Sequence, residues 1–404
     1  MTIELSAGRA FPRRESALLA LVSAAHFISH VHIMVLPALI PLLPGHVGVS
    51  FLDIGFALTV FNLVSLAVQT PMGFATDRLG PGPMLIGALL LGGLSYAALA
   101  LLPGYPALLA AMAVAGVANG IYHPADYALL SGAIGERRLG RAFSVHTFAG
   151  FLGTAVTPAL LLAVAHAASV PSAFALAGGA GIAVALLLLV SRPLLRPARA
   201  VSSIHAAPTA GLRDVLTGRV LLLTLLFALL NLSTGGIAAF AVTALLRGYG
   251  IDLASAGTAL TAFLFASAAG VLAGGVLADR ARRHGLAAAA TMALAALLTL
   301  AVTVLQPVGL VLTLLLAGAG FFAGVITPSR DLLVRAAAPA GAEGRVFGIV
   351  STGFNVGGAA GPVIFAALVD HGHFQAVFGL TALFMLLTAA LTLLPVFERP
   401  AAAR

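Results

Sequence analysis

The sequence predicts an all-α integral membrane protein with twelve transmembrane helices in two pseudo-symmetric six-helix bundles. Three observations predict it. First, the 404-residue chain is 60% hydrophobic and 8% charged, with a mean hydropathy of +1.09. Soluble domains are about a quarter charged, so lipid must be the solvent for most of this surface. Second, the apolar residues fall in runs close to the roughly 20 residues that a spanning helix needs. Third, one long stretch is written twice. The segment Gly120–Pro158 reads GIYHPADYALLSGAIGERRLGRAFSVHTFAGFLGTAVTP, and Gly324–Pro362 reads GVITPSRDLLVRAAAPAGAEGRVFGIVSTGFNVGGAAGP. Pro124, Gly140-Arg141 and Pro158 are answered at Pro328, Gly344-Arg345 and Pro362, each 204 positions on. Upstream, Gly73-x-x-x-Asp77-Arg78 is answered by Gly275-x-x-x-Asp279-Arg280 at a spacing of 202, half the chain. Internal repeats in an apolar chain point to transporter architecture.

Taken in order, the spans are 17–41, 52–75, 84–102, 106–131, 142–166, 172–191, 219–246, 253–278, 286–305, 308–335, 345–369 and 374–396. Arg9, Arg13 and Arg14 precede the first run, which is too long for a signal peptide and lacks a small-residue cleavage site; it reads as a retained helix. Short Pro- and Gly-marked turns follow several spans, as at Pro81-Gly82-Pro83 and Pro103-Gly104-Tyr105-Pro106. Residues 192–218, with four arginines and three prolines, read as a cytoplasmic basic linker between an N-terminal bundle (1–191) and a C-terminal bundle (219–404).

Charge sets the expected orientation. All 21 basic residues are arginine, and they fall between spans rather than along one stripe, which argues for topology and against a nucleic-acid partner. Even-numbered spans end beside arginines, whereas the opposite loops hold only Arg247. Both termini, the linker and the Gly-Arg turns are therefore expected in the cytoplasm, in a multi-pass protein of the inner membrane. The chain has no cysteine, so disulfides and thiolate metal sites are excluded.

Ionisable residues inside spans are costly and mark cavities or partners. His26 and His30, four apart on the first span, share a face; His32 points elsewhere. The fourth span carries Tyr122, His123 and Asp126, the fifth His146, and the tenth Arg330 and Asp331. Asp126 and Arg330 hold matching positions with opposite charge. The expected substrate and proton-coupling residues are His26, His30, Tyr122, His123, Asp126, His146, Asn231, Arg330 and Asn355. Asn62, Gln69, Ser233 and Thr234 either line the same cavity or join helices. Gate residues are expected at the helix ends: Asp77, Arg78, Arg141, Asp279, Arg280, Asp331 and Arg345, with the Asp-Arg turns acting as latches between the halves. A histidine pair at i,i+4 also has ligand spacing for zinc, nickel or copper, so a divalent-metal carrier stays open beside small-molecule transport, although no resident metal or cofactor is expected. An enzyme is not expected, because no His-Glu-x-x-His or hydrolase serine motif occurs.

These features together resemble the major facilitator superfamily. The turn Gly73-Phe-Ala-Thr-Asp77-Arg78-Leu-Gly80 is similar to that family's loop between helices two and three, departing from it at Pro81 and Pro83. Ile121-Tyr122-His123-Pro124, the first-span histidines and Leu-Pro-Ala-Leu-Ile-Pro-Leu at 36–42 resemble its fosmidomycin-resistance branch. Gly150, Gly153 and Pro158 match part of the fifth-span motif of antiporters, with Thr157 where glycine is usual. The resemblance implies a monomeric, proton-driven exporter of small organic compounds that works by alternating access. Proton-coupled uptake of a small anionic metabolite, with Arg330 meeting the anion, is the alternative.

Overall fold

A computed structural model describes residues 11–195, 216–281, 283–338 and 343–395. Most of the expected linker, residues 196–215, lies outside them. Among the described residues, twelve helices are long and apolar enough to span a membrane. They are α1 (Arg13–Leu39), α2 (Phe51–Leu79), α3 (Pro81–Leu101), α4 (Tyr105–Ala133), α5 (Glu136–Ala167), α6 (Val170–Val190), α7 (Gly218–Gly248), α8 (Leu253–Arg280), α9 (His284–Leu305), α10 (Gly309–Ala337), α11 (Glu343–Asp370) and α12 (Phe374–Thr392). All twelve expected spans are present, and α1, α2 and α5 extend by a turn of helix or more beyond the apolar run at one end. That excess is polar sequence that still satisfies its backbone by continuing the helix.

Helix ends follow local chemistry. Ser50 and Asp53 form a reciprocal capping box at the start of α2. Thr217 caps α7 and Asp252 caps α8 through the Ser255 amide at 2.9 Å. Hydrogen bonds from the Ser255 side chain and then its amide hold the Asp252 carboxyl below its usual range. Gly80, at φ +89°, makes the sharp turn from α2 into α3 that a side chain would strain.

The two halves use the same contacts at matching positions. Lipid gives no hydrophobic drive between helices, so small residues that let backbones approach are the main packing device. Gly153 on α5 meets the Phe27 carbonyl of α1, and its counterpart Gly357 on α11 faces the Ala228 carbonyl of α7, where a Cβ would come within 2.6 Å. Gly120 on α4 packs on Val68 of α2, and its counterpart Gly324 on α10 packs on the Ser267 carbonyl of α8. Each half thus repeats one set of helix pairs. At the arginine-rich end, Arg138 grips Glu15 through two bonds of 2.7 and 2.8 Å, tying α5 to the start of α1.

Between the halves, contact is concentrated at the arginine-poor end. Thr59 of α2 donates to the Ala359 carbonyl of α11 at 2.6 Å, and Gly55 lies against the Pro362 carbonyl. On the other seam, Gly257 of α8 faces Leu162 of α5. Beside these contacts lies a cavity of about 160 Å³ walled by α1, α2, α7 and α11, with Phe61, Asn62, Asn231, Gly358 and Phe365 among its lining.

A valine at Gly324 would collide with the Ser267 carbonyl and is expected to cost about 1–3 kcal/mol, as overpacking does. Gly275→Ala, where nothing lies within 4 Å of the added Cβ, is the matched control and should melt like the parent. The chain has no tryptophan or cysteine, so circular dichroism is the appropriate readout.

Candidate functional site

The polar side chains of α1, α4 and α5 converge inside the N-terminal half. Asp126 is fully buried, and its Oδ2 lies 3.3 Å from His26 Nδ1 and 3.6 Å from His146 Nε2. The His26 and His146 rings stack, with centroids 3.8 Å apart. His30 meets the edge of His26 at 4.7 Å, and His123 does so at 5.5 Å. The cluster exists because α5 comes close to α1: at Gly150 an added Cβ would lie 2.7 Å from His26 Nε2 and 2.8 Å from His30 Cδ2.

These groups are close but poorly satisfied. Neither oxygen of Asp126, nor His26 Nδ1, nor either nitrogen of His146 completes a hydrogen bond among the described residues. A buried carboxylate without donors is expensive, and buried polar groups are otherwise almost always paired. His30 is the exception, with Nδ1 2.8 Å from Thr154 Oγ1. His123 is exposed although it sits well inside α4, and it stacks on Tyr127, itself 46% exposed. Tyr127 also meets the edge of His146 at 6.1 Å. His123 and Tyr127 thus connect the buried carboxyl to open space.

The remaining expected residues are dispersed. His32 turns to α6, with Nε2 3.2 Å from the Ala177 carbonyl, and Tyr122 packs beside it against Gly92 of α3, away from the imidazole cluster. Asn231 and Asn62 line the cavity between the halves. Ser233, by contrast, joins α7 to α12 through Thr388 at 3.3 Å. Arg330 sits 4.8 Å from both the Phe227 and Phe354 rings and pairs with Asp331 at 3.2 Å. Phe227 lies one turn from Asn231 and Phe354 one turn from Gly358, but neither ring nor Arg330 is among the residues that line the cavity. Asn355 is half-buried on α11. Arg78 is exposed at the end of α2, and Arg141 lies over the Phe11 ring at 5.2 Å. The side chains of Asp77, Asp279, Arg280 and Arg345 lie outside the described residues. Sequence reasoning missed Thr154 and Tyr127. Thr154 was detectable four residues after Gly150, on the same face; nothing in the sequence set Tyr127 apart.

At the positions matching the cluster, the C-terminal half has Thr327 for His123, Arg330 for Asp126 and Val350 for His146. Titratable groups are thus concentrated in one half, and a stacked cation stands in the other. Two pseudo-symmetric bundles around a cavity, with ionisable groups buried in one of them, define a membrane transporter. The chain belongs to the Major Facilitator Superfamily, whose family model matches residues 22–246 and 228–404. It is 27% identical over 398 residues to the fosmidomycin resistance protein of Escherichia coli (strain K12), covering 95% of this chain and 94% of that protein. An uncharacterised MFS-type transporter of Bacillus subtilis (strain 168) is 26% identical over 141 residues, covering 35% of this chain and 34% of that one. Among solved structures, it resembles a bacterial homologue of the human lysosomal transporter Spinster in two inward-facing forms. The occupied form has a TM-score of 0.79 at 12% identity, covering 95% of this chain and 97% of that one. The unoccupied form has a TM-score of 0.80 at 13% identity, covering 98% and 100%.

Thr154→Val should remove the partner of His30 at a cost of about 1 kcal/mol, typical of one hydrogen bond. Gly150→Ala should cost more, because it displaces two imidazoles at once. Thermal melts of both variants beside the parent check that order.

Proposed function

We propose that this transporter is a proton-coupled exporter of small organic compounds in the inner membrane, monomeric, with its arginine-rich end in the cytoplasm. Residues 1–191 and 219–404 form the two moving halves, and 192–218 the link between them. The observation that carries the coupling is Asp126, fully buried against two imidazoles and bonded by neither. A single proton shared over this group lowers the cost of the buried charge, and gaining or losing it changes how α1, α4 and α5 fit together. His30 and His123 belong to the same network, with His123 as the point of entry from open space. Proton movement through the N-terminal half then biases the rocking that opens the central cavity to one side or the other. The 160 Å³ cavity, apolar but for Asn62 and Asn231 among its named walls, suits a compact organic molecule that accepts or donates a few hydrogen bonds. The Escherichia coli relative named for fosmidomycin resistance supports export as the direction.

Uptake of a small anionic metabolite is the second reading, supported by Arg330, the cation that the C-terminal half carries at the position matching Asp126. A divalent-metal carrier is less well supported. His26, Asp126 and His146 bring ligand atoms within 4.8 Å of one another. However, the two imidazole planes stack only 24° from parallel. Their in-plane lone pairs run side by side instead of meeting on one ion.

In proteoliposomes, with fosmidomycin as the first probe, an imposed pH gradient should drive accumulation by the parent chain. Asp126→Asn should lose that drive while keeping substrate exchange at equal pH. Undiminished gradient-driven transport by Asp126→Asn would remove the coupling reading. For the second reading, Arg330→Ala should abolish uptake of anionic probes and spare neutral ones, and Arg330→Lys should restore part of it, because a lysine keeps the charge without the planar stack.

A further inference from the structure

Asp370, the last residue of α11, reaches across the seam to the first turn of α2. Its Oδ1 accepts from the Phe51 amide at 2.9 Å and its Oδ2 from the Leu52 amide at 2.6 Å. The other two free amides of this helix start are satisfied within the N-terminal half, Asp53 by the Ser50 side chain at 3.0 Å and Ser50 by the Asp53 carboxylate at 2.9 Å. A helix start leaves four amides without intrahelical partners. Here two of those amides are bonded by the other half of the molecule. The carboxylate also lies at the positive end of the α2 dipole, the favourable place for an anion.

We propose that Asp370 is a gating residue of the arginine-poor face, a charged cap shared between the two bundles that must let go before the cavity opens on that side. The inference rests on alternating access but uses none of the proton-coupling residues. Three features support it. The bond joins the two halves at the end where Thr59 and Gly55 also close the seam. The cavity lies directly along the same two helices, α2 and α11. The device is also one-sided. The residue matching Asp370 in the first half is His166, which offers no carboxylate, and the start of α8 is capped by its own Asp252. Asp370 is exposed and Phe51 and Leu52 are only half-buried, so water can replace the carboxylate when it leaves. This keeps the latch weak enough to open in each cycle.

The chain has no cysteine, so Ala239→Cys, in the cavity wall, gives a single reactive thiol. A membrane-impermeant maleimide is applied to oriented vesicles from the arginine-poor side. In that background Asp370→Ala, which loses two charge-assisted hydrogen bonds, should speed labelling about tenfold or more. Asp370→Asn, which keeps the shape and loses the charge, should fall between, and serves if the alanine variant does not fold. Ser50→Ala frays the same helix end without touching the bond between halves and should leave labelling unchanged. Equal labelling with and without the Asp370 carboxylate, or an equal rise in Ser50→Ala, would overturn the gate. Labelling from the opposite side separates the two readings. A reciprocal fall supports both, whereas a rise on one face with no fall on the other keeps the gate and rejects alternating access.

Discussion

Close contact between helix backbones is the constraint on which this structure depends. In lipid, apolar side chains gain nothing by leaving one hydrocarbon surface for another, so helices are held by van der Waals fit and by the few polar contacts the fit allows. Gly153 against Phe27 and Gly357 against Ala228 set how near α5 and α11 come to α1 and α7. The same approach at Gly150 presses His26 and His30 toward His146 and Asp126. A larger residue there would separate the groups that make the cluster. Packing and chemistry in the N-terminal half are therefore one arrangement.

The duplicated scaffold is put to different uses in its two halves. The N-terminal copy gathers imidazoles and a carboxyl in a buried, under-bonded group. The C-terminal copy has Thr327, Arg330 and Val350 at the matching positions and holds that arginine between aromatic rings, where a guanidinium is stabilised by the faces of Phe227 and Phe354. A carrier needs its two halves to respond differently to the same event, and a symmetric frame with unlike contents provides that. The seam shows the same division: α2 adds a carboxylate from α11 to its own capping box, while α8 is capped by its own Asp252.

Much of the fold was legible because it rests on patterns that survive without coordinates. Apolar runs of spanning length, arginines at alternate turns and prolines 204 positions apart each state something about a helix in a bilayer. The candidate site was legible only in part. His26 and Asp126 stood out because ionisable residues in lipid are costly, but nothing at the level of spacing showed that His146 would stack on His26 or that Tyr122 would turn to α3 instead. Thr154 and Tyr127 are ordinary residues in a helix until a neighbour gives them a partner. Asp370 read as the polar end of a span, since its role depends on a helix 319 positions away in the chain.

Sequence alone determined the membrane setting, the number of spans, the twofold design and the family, because hydropathy, charge placement and repetition are properties of single segments and their order. Tertiary structure decided which imidazoles meet the carboxyl, where the cavity lies, and which end of the seam is closed. Those are relations between helices far apart in the chain, set by the rotation and depth of each helix against its neighbours, and no one segment carries that information.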